Sequence, residues 1–175
     1  AVYDSVTVEN SAPSLASVSL TPTSAYEDDT LTCTPGTASD SDGDTVSYSY
    51  AWTVDGVAAS SGSSSLDGSA FDKNQDVVCT VTPSDGSDSG TAVDSNTVTI
   101  LNSAPSISSV SISPTSPTVS DDLTCSYSGF SDPDGDSDSS TYSWTVNGTV
   151  TGSSDTLAAG SFTHGDTVAC EVTPN

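Results

Sequence analysis

Tyr48-Ser49-Tyr50-Ala51-Trp52-Thr53-Val54-Asp55-Gly56 returns 92 positions later in the form Tyr142-Ser143-Trp144-Thr145-Val146-Asn147-Gly148. In both copies a large side chain falls at every second residue and a small one between. That is the period of a strand with one buried face, not the 3.6-residue period of a helix. Asp55-Gly56 and Asn147-Gly148 follow directly and are strong tight-turn signals. The same alternation spreads outward. Leu31 and Cys33 alternate with Thr32 and Thr34; Val77, Cys79 and Val81 share a face, and Val98 and Ile100 share another. Further on, Leu123 with Cys125, and Val168 with Cys170 and Val172, repeat the rule. Pro22, Pro114 and Pro117 stand where a first strand would end, which suits a sheet edge. The chain is all-β.

The repeat is out of phase with the chain. Asn10-Ser11-Ala12-Pro13-Ser14 returns as Asn102-Ser103-Ala104-Pro105-Ser106, a period of 92. Val98-Thr99-Ile100-Leu101-Asn102 closes the first repeat, and Val6-Thr7-Val8-Glu9-Asn10 is its counterpart at the front. At the back, Val172-Thr173-Pro174-Asn175 matches Val81-Thr82-Pro83-Ser84. The expected organisation is an N-terminal candidate donor strand over residues 1–9, a first domain over 10–101, and a second over 102–175 lacking its own last strand. Such a chain satisfies itself by joining head to tail with others, or is a window on a longer repeat array. The connector Asp85-Gly86-Ser87-Asp88-Ser89-Gly90-Thr91 has no counterpart after Asn175, and a strand donated by another chain needs none.

With 175 residues and a hydrophobic share of 33%, the two cores must be thin and supplemented. Two cysteines fall in each repeat, Cys33 with Cys79 and Cys125 with Cys170. Closing loops of that size stabilises each domain by about 4 kcal/mol in the chain-entropy treatment. A zinc site would want close pairs such as C-x-x-C, and none exists. Paired cysteines at repeated spacing point to an oxidising compartment, hence a secreted or surface-displayed protein. No basic-apolar leader and no apolar run near 18 residues is present, so the expectation is a mature, soluble chain without membrane insertion. Twenty-four acids against the single Lys73 give a formal charge of −23, which excludes nucleic-acid backbones and anionic membranes as partners. Charge of that size repels itself, which makes bound calcium or a saline habitat physically attractive.

Two cysteines flanking a tryptophan, within about seven short strands, resemble an immunoglobulin-like β-sandwich. The resemblance implies that Trp52 or Trp144 packs on a disulfide joining the two sheets. The chain is most similar to the bacterial immunoglobulin-like and polycystic-kidney-disease-like (cadherin-like) tandem repeats of large secreted surface proteins. The residues that carry this are Ser39-Asp40-Ser41-Asp42-Gly43-Asp44 and Ser131-Asp132-Pro133-Asp134-Gly135-Asp136, each ahead of its tryptophan strand. Val77 and Val168 stand where antibody-type domains carry a corner tyrosine, so an antigen-receptor role does not follow.

Asp40, Asp42 and Asp44, and again Asp132, Asp134 and Asp136, set three carboxylates at alternate positions around a glycine. Calcium takes six to eight oxygens, and such a loop turns several inward. Ala51 and Ser143 stand where an EF-hand needs its last glutamate, so these are not EF-hands. The resemblance implies calcium at both loops, with Asp28, Asp29, Asp85, Asp121 or Asp122 as supplementary ligands; the other reading is solvated turn chemistry. His164 is the single histidine, with Asn74 at or near its place in the first repeat. Ser and Asp are too abundant for a Ser-His-Asp site to be inferred, and no enzyme is expected. Asn147-Gly148-Thr149 is a formal glycosylation sequon, which turn chemistry explains equally well without sugar. Ser60-Ser61-Gly62-Ser63-Ser64-Ser65 could accept O-glycans.

The linker from Leu101 to Pro105 is short and proline-limited, so two sandwiches standing end to end as a semi-rigid rod are expected, each roughly 35–40 Å long. The function that follows is a structural subunit of an extracellular fibre or surface stalk. Identical subunits join head to tail by donating residues 1–9, with Val6 and Val8 inward, to the second domain of a neighbour, and calcium supports the loops. The alternative is an adhesive or carbohydrate-binding module of a larger secreted repeat protein, with a glycan or surface ligand as partner.

Overall fold

A computed structural model of the chain describes residues 1–59 and 62–175; the Ser60 and Ser61 of the candidate O-glycan run lie outside these. The chain divides into two compact units, Ala1–Asn102 and Ser103–Asn175. Among the described residues helix is nearly absent, a single turn at Gly68–Ala70. No helix among the described residues is long and apolar enough to cross a membrane.

In the first unit the strands are β1 (Ser14–Leu15), β2 (Val18–Thr21), β3 (Leu31–Pro35), β4 (Ala38–Ser39), β5 (Ser47–Val54), β6 (Val57–Ala59), β7 (Ser65–Leu66), β8 (Asp76–Ser84), β9 (Val93–Asp94) and β10 (Val98–Thr99). They form one sheet in the order β2-β3-β7 and another in the order β10-β8-β5-β6, with β9 also on β8; β1 and β4 pair by themselves. Alternation decides which face is dry. Along β8, Val77, Cys79 and Val81 are fully buried while the residues between them are not. Trp52 lies directly across from Cys79 and is 1% exposed, and its indole N–H donates to the Ser63 carbonyl at 2.9 Å, so the ring is buried without an orphaned donor. Toward the start of β5 the dry face frays, because Tyr48 stands 36% exposed opposite Pro83.

The second unit holds β11 (Ser109–Ser113), β12 (Leu123–Ser128), β13 (Thr141–Val146), β14 (Thr149–Gly152), β15 (Thr156–Leu157) and β16 (Val168–Thr173). Their orders are β11-β12-β15 and β14-β13-β16. Trp144 lies across from Cys170, is fully buried, and donates to the Ser154 carbonyl at 2.9 Å. Tyr127 and Tyr142 pack on this core with ring centres 5.9 Å apart.

Each unit is cross-braced. Cys33 on β3 is bonded to Cys79 on β8, and Cys125 on β12 to Cys170 on β16, with Cα separations of 6.2 and 6.3 Å. Each bond therefore ties two different sheets together, and the pair marks an oxidising, extracellular or secreted environment. The prolines fall as expected: Pro22 and Pro114 follow β2 and β11 directly, each after a cis peptide bond. One correspondence shifts. Asn74 and Gly165 both adopt positive φ, 65° and 92°, so Gly165 is the counterpart of Asn74 and Lys73 stands in the place of His164.

Candidate functional site: an open groove and the acidic loops

The last strand of the first unit shows how a groove between the sheets is filled. Val98 lies across from Val77 and Thr99 across from Asp76. The Ile100 N–H donates to the Gln75 carbonyl at 2.9 Å, and the Asn74 N–H returns a bond to the Ile100 carbonyl at 2.8 Å. On the other side the Leu101 N–H reaches the Ala25 carbonyl at 2.8 Å. Val98 and Ile100 are each 1% exposed, in one core with Leu20, Ala25, Leu31, Phe71 and Val77. Asn96 completes the closure. Its side-chain oxygen accepts from the Leu20 N–H at 2.9 Å and its amide donates to the Leu20 carbonyl at 3.2 Å, so one carboxamide clasps both backbone groups of Leu20.

The second unit has the same space without the strand. A groove of about 680 Å³ is lined by Ile112, Pro114, Pro117, Leu123, Phe162 and Val168, the counterparts of Leu20, Pro22, Ala25, Leu31, Phe71 and Val77. His164 and Asp166 also border it. β16 is the edge of its sheet, whereas β8 carries β9 and β10 beyond it. Ile112, Val168 and Cys170 are consequently only half-buried, where Leu20, Val77 and Cys79 are fully buried. An apolar floor beside an unpaired edge is a template for another strand. Residues 1–10 form no strand, and Val2, Tyr3, Val6 and Val8 are almost fully exposed, at 87% or more.

The acidic loops are built alike at their first step. Asp40 Oδ1 accepts from the N–H groups of Asp42 and Asp44, and Asp132 Oδ1 from those of Asp134 and Asp136, at 2.8–3.3 Å. The second aspartate then ties down the start of its repeat: Asp42 accepts from the Ser11 N–H at 2.7 Å and Asp134 from the Ser103 N–H at 2.6 Å. Part of each loop's acidity is thus structural. The loops differ in what remains. Only Asp132, Asp134 and Asp136 bring carboxylate oxygens within 4.8 Å of one another among the described residues. Asp134 Oδ1 is buried there without a partner, while in the first loop the unpartnered buried atom is Asp40 Oδ2.

Of the supplementary carboxylates, Asp29, Asp85 and Asp121 serve their own turns and Asp122 reaches a distant loop. Asp29 accepts from the Tyr26 N–H and Asp122 from the Ala159 N–H, at 2.9 and 2.7 Å. Asp121 is held below the usual carboxylate range by the Thr118 N–H and then its hydroxyl. The Asp88 N–H, then the Asn10 amide and the Ser87 N–H, do the same to Asp85. Asp166 beside the groove is lowered by the Thr163 N–H first, then by the Asn147 amide and the Thr163 hydroxyl. Asn147 also accepts from the Thr167 N–H at 3.0 Å, so both ends of its side chain hold the turn. His164 is exposed at the groove.

No protein-family model matches the chain, and no curated protein is significantly similar to it in sequence.

Sequence reasoning missed Asn96 and the paired Phe71 and Phe162. The phenylalanines lie outside the alternating strands, yet each stands eight residues before its cysteine, a recurrence that a closer alignment of the repeats could have found.

Proposed function

We propose that this chain is a non-enzymatic structural subunit of an extracellular fibre or surface stalk. Its two units are read as tandem immunoglobulin-like sandwiches similar to secreted surface repeats. Residues 1–9 of one chain lie in the groove of the second unit of the next. One observation carries the reading: the space that Val98–Ile100 fills in the first unit is open in the second, and Val6-Thr7-Val8 repeats the pattern of the filler. Burying a valine stabilises by about 1.5–3 kcal/mol, and the backbone bonds made along β16 add register. Because donor and acceptor are different surfaces, the contact is heterologous and does not close, which yields filaments.

Calcium belongs to the same proposal. Asp132, Asp134 and Asp136 supply hard oxygen donors at short mutual spacing, and the orphaned Asp134 Oδ1 has no other use in the loop. The residues fit the ion, which would offset part of the −23 charge.

The test is the solution mass of the oxidised chain by light scattering, beside a double variant Val6→Asp/Val8→Asp. Mass should climb with concentration for the native chain and stay monomeric for the variant. Two monomers would sink strand exchange and favour the adhesive or carbohydrate-binding module.

A further inference from the structure

We infer that Asp4 is the residue that sets the strength of the joint between chains, by facing the backbone of Ile112 in the groove of the neighbour; this rests on the strand-donation reading above.

The argument begins at the sheet edge. The Cys125 N–H donates to the Asp155 carbonyl at 2.8 Å, on the β15 side of β12. In an antiparallel ladder, a residue whose N–H points to one neighbour forms a non-hydrogen-bonded pair with the residue opposite on the other. Cys125 is paired with Ile112, so the N–H and C=O of Ile112 point outward from the edge strand β11. The first unit has the same arrangement. There the Cys33 N–H donates to the Ser64 carbonyl at 2.8 Å, Cys33 is paired with Leu20, and the outward groups of Leu20 are the two that Asn96 clasps.

Asn96 lies two residues before Val98, just ahead of β10, and reaches Leu20 from there. Placing Val6 where Val98 lies, opposite Val168, puts Val8 at the place of Ile100 and Asp4 at the place of Asn96. The recurrence of Asn10 as Asn102 holds that register. A carboxylate can accept from the Ile112 N–H but has no proton for the Ile112 carbonyl. It makes one half of the clasp and sets an anionic oxygen against a carbonyl oxygen. The strand exchanged between chains is therefore a weakened copy of the strand kept within one, and Asp4 is what weakens it.

The experiment compares full-length oxidised chains at fixed calcium and salt, reading by light scattering the concentration at which half the mass is polymer. Asp4→Asn restores the donor, and the half-assembly concentration should fall about tenfold, the size of one added hydrogen bond together with relief of the oxygen pair. Glu9→Gln removes the same charge from the opposite strand face, and should change it less than about twofold. If the two variants shift assembly equally, the effect is net charge alone and the assignment of Asp4 is overturned. If the native chain and Val6→Asp/Val8→Asp are both monomeric at every concentration, strand donation itself fails, a result distinguishable from the first.

Discussion

Both units place a tryptophan strand across from a disulfide-bonded cysteine, and among the described residues the first also holds a strand, Val98–Thr99, beside its cysteine strand where the second shows none. Where Val98 and Ile100 are present, the facing residues Leu20 and Val77 are fully buried and Asn96 seals the far edge. Where their counterparts are absent, Ile112 and Val168 stay half-buried and β16 keeps an unpaired side. The comparison teaches that in so thin a sandwich the last strand is not trim. Among the described residues, Val98 and Ile100 are two of the fourteen in the hydrophobic core cluster of the first unit; the cluster of the second has six.

The sharpest way to break the comparison is to make the first unit resemble the second. Ile100→Ala should cost the first unit about 2–5 kcal/mol in urea unfolding, as expected for a large-to-small change at a buried site. The transition of the second unit should not move. An equal loss in both transitions would mean that the strand is not specific to its own groove.

A smaller effect is expected from calcium, and on the opposite unit. Tenfold over its dissociation constant, the ion should stabilise the second unit by about 1.4 kcal/mol, roughly 6–11 °C in a domain of this size, followed by calorimetry. Asp132→Asn/Asp134→Asn should abolish the gain. If the first unit gains as much, the closer grouping of Asp132, Asp134 and Asp136 is without consequence.

The smallest effect concerns acid. Asp166 titrates below the ordinary value of 3.8 because the Thr163 N–H, the Asn147 amide and the Thr163 hydroxyl favour its charged form. A lowered carboxyl contributes stability that is present above its unfolded value and lost as pH falls through the folded one. The advantage of the native chain over Asp166→Asn should therefore hold at neutral pH, begin to fade near pH 4 and be lost only as pH falls through the lower folded value. A difference that persisted at pH 2 would point to packing rather than charge.

What could be read in the residues follows from what leaves a pattern. Trp52 and Trp144 impose a two-residue period because one face of their strands is dry, and the repeat then locates Cys33, Cys79, Cys125 and Cys170 on either side. Asn96 was invisible because its partners are backbone atoms of Leu20, which every residue carries. The two Asp triplets read as equivalents, yet only one draws its oxygens together, since loop conformation rather than spacing decides that. The counterpart of His164 could be placed only at or near Asn74, because the turn there breaks the alternation that fixes register elsewhere.

The disulfides have a mechanical consequence. When the chain is pulled from its ends, as it would be in the proposed filament, the bonds Cys33–Cys79 and Cys125–Cys170 short-circuit the chain between them, a separation of 46 residues in one unit and 45 in the other. At about 3.3–3.6 Å per extended residue, each bond withholds about 150 Å of contour from stretching. Under tension the protein could lengthen only through the segments outside these loops, so a fibre of such units would give a little and then hold.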